Sequence, residues 1–356
     1  MKIIFVTSSL GFGGAERVIS ELASEFSKQH QVLVAITSIK QKESYSCGSA
    51  AITYLSEASK LSPFQKIHKL EALFKKWSPD VVVAFPDPCS FYAAKAAKRV
   101  GIPCICSERN APRYSPTNPL MRIVRTWSYH LATRVVFQTE QARDYFGKSI
   151  QKKGTIISNP FQQRSSLVRK PEEKIISAGR FTPQKNFICL IDAFSLFHVW
   201  FPNYSLTIYG EGPERINLEN EIHSKGLDSY VFLPGFSDHL ESAFASAAIF
   251  VMSSDHEGMP NALLEAAAAG LPCVATDCPV GGPRKLIGSN PNDILVPVGD
   301  SQAIADALKK IVANYDDVSK GCEGYANQLK ESLSIGNIAH QWLSLINSII
   351  SNQKKK

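Results

Sequence analysis

The sequence predicts an α/β protein made of two doubly wound parallel-sheet domains in tandem, on three observations. The chain has 356 residues, more than one ordinary core and about right for two. Short β-branched runs alternate with longer amphipathic stretches, the pattern of β-α-β units, and they do so in two separate series. Between the series, from Asn159 to Glu173, the apolar periodicity fails in a polar stretch broken at Pro160, which reads as an interdomain linker.

In the first series the strand candidates are Lys2–Val6, Gln31–Ile36, Asp80–Phe85, Pro103–Cys106, Arg134–Phe137 and Thr155–Ile157. Helices are expected near Ala15–Gln29, Pro63–Trp77, Cys89–Val100, Pro119–Leu131 and Thr139–Phe146. Val18, Ile19, Leu22 and Phe26 share one face of the first of these, as a core-facing helix requires. The second series has strands at Lys174–Ala178, Ser205–Tyr209, Tyr230–Leu233, Ala248–Met252, Pro272–Ala275 and Ile294–Val296. Its helices lie near Phe187–Trp200, Glu214–Lys225, Leu240–Ala245, Asn261–Ala269 and Gln302–Ala313. The expected domains are residues 1–160 and 174–334. In sheets of this kind ligands bind at the carboxyl ends of the strands.

Composition narrows the classes. Hydrophobic residues make up 44% and charged residues 20%, a globular balance that argues against disorder. Mean hydropathy is −0.08, and no apolar run approaches the ~20 residues that cross a bilayer. The apolar start, Ile3 to Val6, gives way to Thr7-Ser8-Ser9, too short for a secretory signal. The eight cysteines are scattered without a C-x-x-C pair or zinc spacing, so they read as reduced core thiols of a cytosolic chain. The formal charge of +7 divides unevenly: residues 1–165 hold 23 Lys and Arg against 11 Asp and Glu, and the remainder 16 against 21. A basic first half points to an anionic partner, membrane surface or nucleic acid. No nucleic-acid-binding motif accompanies it, and the aromatics do not line a strand face.

Three constellations carry chemistry. Leu10-Gly11-Phe12-Gly13-Gly14-Ala15-Glu16-Arg17 follows the first strand and opens a helix. Its glycines admit close backbone approach, and its free amides favour an anion. It is neither a dinucleotide fingerprint nor a P-loop, and a ligand-free turn is the alternative reading. Gly179-Arg180-Phe181-Thr182-Pro183-Gln184-Lys185-Asn186 places two cations at a strand end in the acidic half. A guanidinium fork and a compact ammonium suit phosphate oxygens; two exposed loop cations are the alternative. In Asp255-His256-Glu257-Gly258-Met259-Pro260-Asn261-Ala262-Leu263-Leu264-Glu265, carboxylates flank a Pro-marked helix start. Amides there would face an anion, with carboxylates on either side to accept bonds from sugar hydroxyls. A nucleotide sugar presents its groups in that order.

Gly179-Arg180-x4-Lys185 followed by Glu257-Gly-x-Pro-Asn-x3-Glu265 resembles the retaining nucleotide-sugar glycosyltransferases of family 4. The resemblance covers nearly the whole chain: the Gly13–Arg17 loop, Asn159-Pro160 and Gly210-Glu211-Gly212 fall in the family's order. Asp277-Cys278-Pro279-Val280-Gly281-Gly282-Pro283-Arg284 is similar to the variant in bacterial enzymes that extend lipid-linked glycans. The resemblance implies the GT-B fold, two Rossmann-like domains facing across a cleft, with the final helix (335–352) packed back on the first domain.

It also implies roles. Arg180 and Lys185 would neutralise the donor diphosphate, Glu257 would hold donor-sugar hydroxyls, and Glu265 the ribose. Gly13, Gly14, Gly179, Gly210, Gly258, Met259, Asn261 and Leu264 would line the donor. No metal or other cofactor is expected, the cations standing in for one, and no D-x-D sequence occurs. Where many members carry Ser-Glu-His, this chain has Ser107-Glu108-Arg109. Arginine cannot act as a base at neutral pH. That leaves Glu108 to position or deprotonate the acceptor hydroxyl; the departing phosphate is the alternative base and a structural salt bridge the alternative role. His256 reads as a loop contact.

The acceptor is expected on the basic half, at Glu16, Arg109, Arg122 and Arg125. The Pro119–Leu131 helix mixes arginines with aromatic and aliphatic residues, a composition suited to anionic lipid or a pyrophosphate-linked carrier; an amphipathic helix packed on its sheet is the alternative. The expected activity is transfer of a hexose or N-acetylhexosamine, from a UDP-linked donor, to a polyprenyl-diphosphate-linked oligosaccharide at the cytoplasmic membrane face. A nucleotide-sugar 2-epimerase or a non-catalytic nucleotide-binding scaffold are the alternatives.

Overall fold

The computed structural model describes every residue except 12, 41–44, 86–87, 163–167, 238–239 and 354–356. Part of the expected linker therefore lies outside the described residues. The chain divides into two units, one of residues 1–162 with 333–356 and one of residues 163–332.

The first unit holds a seven-stranded parallel sheet: β1 (Lys2–Thr7), β2 (Gln31–Ile36), β3 (Ala51–Tyr54), β4 (Val81–Ala84), β5 (Cys104–Ser107), β6 (Arg134–Phe137) and β7 (Gly154–Ile156). Its order is β3-β2-β1-β4-β5-β6-β7, so the chain reverses its winding between β1 and β4. β1 runs from Lys2 opposite Gln31 to Thr7 opposite Ile36. Every residue of β4 and β5 is buried, as expected of central strands covered on both faces. The core joins Ile3, Phe5 and Val83 of the sheet to Val18, Leu22 and Phe26 of the Gly14–Phe26 helix. It also takes in Ile338, Trp342, Ile346 and Ile349 of the last helix, Ile335–Gln353. Trp342 is fully buried and stacks on Phe85 at 5.7 Å.

The second unit holds six parallel strands: β8 (Lys174–Ala178), β9 (Ser205–Tyr209), β10 (Val231–Gly235), β11 (Ile249–Met252), β12 (Cys273–Thr276) and β13 (Ile294–Val296). Their order, β10-β9-β8-β11-β12-β13, repeats the same winding, with the switch between β8 and β11. Its core gathers Ile175, Leu206, Ile208 and Val251 from the sheet with Leu190, Phe194 and Phe197 of the Phe187–His198 helix.

The sequence expectation differs from the structure in several elements, the short Lys148–Gln151 helix among them. β3 was not expected; it is a four-residue edge strand without a fully buried residue, so no apolar alternation marks it. The Tyr315–Ser332 helix was not expected either, for it contains Gly321 and Gly324 and buries only Cys322, Ala326 and Leu329. The short Gly282–Ile287 helix was read as part of a motif, not as an element.

Candidate active site

In the second unit, the loops after β8 and β11 meet at the carboxyl edge of the sheet. Pro183–Lys185 forms a 3-10 turn tied to the loop after β11 by several bonds. Asp255 donates its backbone N–H to the Gln184 carbonyl at 2.9 Å, and Gln184 Nε2 donates to the His256 carbonyl at 2.7 Å. Asn186 Nδ2 donates to Asp255 Oδ1 at 2.8 Å, and Ser253 Oγ to the Lys185 carbonyl at 2.9 Å. This lacing delivers Lys185 Nζ to Glu257 Oε1 at 2.6 Å, with 20% and 11% of the side chains exposed. The pair is mostly enclosed, with Lys185 the more exposed partner and Glu257 8% exposed as a residue.

Two glycines make the edge possible. At Gly210, φ is +152° and a Cβ would overlap the Gly179 carbonyl, so the loops after β8 and β9 touch backbone to backbone. A Cβ on Gly282 would overlap the Gly258 carbonyl and come within 3.2 Å of Met259 Cα. Gly179 in turn leaves room for the Lys185 stem, whose Cε would lie 2.9 Å from a Cβ there. Arg180 is exposed.

Gly258, buried Met259 and Pro260 lead into the Asn261–Ala268 helix. Asn261 and Glu265 stand four apart on its half-buried face, while the Leu264 side chain is 1% exposed and faces the core. Burial lowers the His256 imidazole, against the pull of Glu257 and Asp255. The structure therefore places Lys185, Glu257, Gly179, Gly210 and Gly258 together. Gly282 joins them, and its only sequence signal was its place in the Gly281-Gly282-Pro283 run.

In the first unit, Gly13 and Gly14 open the Gly14–Phe26 helix as expected of the sequence pattern. The Glu16 carboxylate folds back over Gly13, where a Cβ would overlap it, and accepts a bond from Ser9 Oγ at 3.3 Å. Phe12 of this loop lies outside the described residues.

Two expectations for this unit are corrected. Glu108, expected as a base, is 2% exposed. Its Oε1 accepts the backbone N–H groups of Arg109 and Asn110, each at 3.0 Å. Its Oε2 accepts from Tyr129 Oη at 3.1 Å and lies 3.3 Å from Arg125 Nη1. A carboxylate with both oxygens occupied inside the protein holds a loop; it does not collect a proton from solvent-borne substrate. Burial pushes its carboxyl up, while Arg125, the amides and Tyr129 oppose that shift.

Arg125, expected to face the acceptor, is 1% exposed. It donates to the carbonyls of Ser115 and of Pro112, the latter at 2.9 Å. Arg122 is half-buried and holds the Pro116 carbonyl at 2.7 Å.

Arg109 sits just past β5, 7% exposed. One amine donates to Asn159 Oδ1 at 2.7 Å, which also accepts from Gln138 Nε2 at 2.6 Å. The guanidinium lies 4.5 Å over the Phe85 ring and 5.8 Å from that of Trp342. Among the described residues its Nε and Nη2 have no hydrogen-bond partner, and burial lowers its pKa to about 9. Gln138 and Asn159 as a pair were invisible to sequence reasoning, because β6 and β7 bring them together. Among the described residues, no cluster of His, Cys, Asp and Glu has the arrangement of a metal site.

Comparison with known proteins places these features in a family. Residues 158–329 match the model for group 1 glycosyl transferases, and residues 12–162 that for glycosyltransferase family 4. An exopolysaccharide phosphotransferase of Streptomyces coelicolor is 30% identical over 62% of this chain and 24% of its own length, so the chain spans about a quarter of that relative. A Campylobacter jejuni α-1,4-N-acetyl-D-galactosaminyltransferase, named for an undecaprenol-diphosphate-linked GalNAc substrate, is 26% identical over 97% of this chain and 98% of its own. Among solved structures, Anabaena HepE in complex with UDP and glucose superposes with a TM-score of 0.80 at 17% identity, covering 98% of this chain and 100% of that one. With two parallel-sheet units of the same winding and family matches running from residue 12 to residue 329, the chain belongs to the GT-B glycosyltransferases of the family 4 type.

Proposed function

We propose that the enzyme transfers a hexose or N-acetylhexosamine, with retention, from a UDP-linked donor to a lipid-linked glycan. The observation that carries this reading is the partly exposed Lys185–Glu257 pair, 2.6 Å apart, in the same loop cluster as exposed Arg180 at the carboxyl edge of the second sheet. Lys185 and Arg180 neutralise the diphosphate as charge grows on it. Glu257 accepts bonds from the donor-sugar hydroxyls, and Glu265, one helix turn beyond Asn261, from the ribose. The C1–oxygen bond to the diphosphate breaks, the acceptor oxygen bonds C1 on the same face, and its proton passes to the departing phosphate. That assignment of the proton follows from the burial of Glu108. The cations replace a metal in this reading.

UDP-linked donors are favoured because the Anabaena structure, of the same fold, holds UDP and glucose. A lipid-linked acceptor is favoured because the full-length Campylobacter relative is named for one. The decisive assay offers purified protein a panel of UDP- and GDP-sugars with a polyprenyl-diphosphate-linked acceptor in detergent, with the anomeric configuration of the product read by NMR. The expected product keeps the donor's configuration and forms with chelator present. An inverted product, or free epimerised sugar without transfer, would overturn the proposal.

A further inference from the structure

We propose that the outer face of three neighbouring helices in the first unit, Pro63–Trp77, Cys89–Val100 and Pro119–Leu131, docks on an anionic lipid bilayer. The inference deepens the lipid-linked acceptor proposed above and rests on that reading for its purpose, but its observations are independent. The Pro119–Leu131 helix is turned the unexpected way. It buries Arg125, Ser128 and Tyr129 and exposes Leu120, Ile123 and Trp127 by 70%, 66% and 52%. These three stand at i, i+3 and i+7, one stripe on one face. Arg125 can be inside because Glu108 and two loop carbonyls receive it. Nothing in the core requires three large apolar groups outside.

The stripe is framed by cations. The middle helix packs between the other two, with Lys95 Nζ 5.6 Å over the Trp127 ring and Lys66 Nζ 5.2 Å over the ring of Tyr92. Apart from buried Arg125, the three helices carry eight lysines and arginines and one carboxylate, Glu71, which Arg99 already holds at 2.7 Å. Apolar groups that enter the acyl boundary, a tryptophan that prefers the headgroup level, and lysines whose long stems reach phosphate are the composition of an interfacial surface. Positive charge without compensating carboxylates selects an anionic leaflet. A protein partner of matching acidity would need its own apolar ridge, whereas a bilayer offers both at once.

The test uses the full chain with vesicles of phosphatidylcholine alone or mixed with phosphatidylglycerol, without donor or acceptor. Sedimentation with the mixed vesicles only, weakening as salt rises, is expected. Replacing Lys66, Lys69 and Lys98 together by Gln should weaken partition about a hundredfold. Ile123→Ser with Trp127→Ser should weaken it by about tenfold or more, with circular dichroism unchanged because both side chains are exposed. Partition unaffected by either set overturns the proposal, as does wild-type protein that ignores anionic vesicles. Self-association abolished by Trp127→Ser, without vesicle binding, also overturns it and assigns the stripe to a second copy. Transfer to the detergent-solubilised acceptor reports separately on the proposed function, and the docking variants should retain it.

Discussion

The molecule contains two carboxylate–cation pairs that read alike in sequence and behave as opposites in space. Glu108 and Arg125, 3.3 Å apart, expose 2% and 1% of their side chains. Lys185 and Glu257, 2.6 Å apart, expose 20% and 11%. The first pair makes its bonds within the protein, to two backbone amides, a tyrosine hydroxyl and two carbonyls, and of its own polar atoms only Arg125 Nε is left without a partner among the described residues. The second is bonded mainly to itself, and its loops rather than its charges do the anchoring. Charge in a motif thus says little about role until its hydrogen-bonding capacity has been counted. A pair bonded on nearly all sides by its own fold fixes a loop, and a pair bonded mainly to itself keeps hydrogen-bonding capacity for a ligand.

The largest effect that separates the pairs should come from Lys185→Ala. If Lys185 meets the developing diphosphate charge as proposed, its removal lowers turnover per folded molecule by about a thousandfold or more; Glu257 is only 8% exposed, so loss of its counter-charge also lowers the melting temperature. Turnover within about threefold of wild type would break the contrast and assign Lys185–Glu257 to structure.

Glu108→Gln should do the reverse. It leaves the Arg125 guanidinium buried without its counter-charge, which costs about 3–5 kcal/mol of stability. Urea unfolding should register that loss while turnover per folded molecule is kept. Glu108→Gln combined with Arg125→Met should recover part of the stability, since removing both charges is less costly than stranding one. A Glu108→Gln protein of normal stability but abolished turnover would return Glu108 to catalysis.

How much of this was legible follows the same line. The fold could be read because each central strand is an apolar run buried on both faces, so β4, β5 and β8 announce themselves. The edge strand β3 and the glycine-containing Tyr315–Ser332 helix bury too little to leave a pattern. In the second unit the candidate site lies in two contiguous loops with glycines at close approaches, so the placement of Lys185, Glu257 and Gly258 together could be read from the sequence. In the first unit the bounds of the Pro119–Leu131 helix were readable, but its orientation was not. Arg125 turns inward only because residues 108–115 fold over it, and no helical periodicity encodes a partner supplied by another loop. The Arg109–Asn159–Gln138 cluster is likewise a product of β5, β6 and β7 lying side by side.

A third carboxylate extends the comparison with the smallest effect. Asp293 is half-buried, less enclosed than Glu108, and has no cation at ion-pair distance among the described residues; it accepts bonds from the Cys273 backbone N–H at 2.7 Å and Asn290 Nδ2 at 2.8 Å. Burial pushes its carboxyl up to about 6. A carboxyl with a raised folded-state pKa binds its proton more tightly when folded. Its contribution to stability is therefore full below about pH 4, where the unfolded chain is also protonated, and is lost as pH rises through about 6. Wild-type stability should fall by about 2 kcal/mol between pH 4 and pH 7 relative to Asp293→Asn, which cannot titrate. Parallel urea-denaturation profiles for the two proteins across that window would mean that Asp293 is ionised in the fold, and that neutral hydrogen bonds alone can hold a half-buried carboxylate where Glu108 requires an arginine.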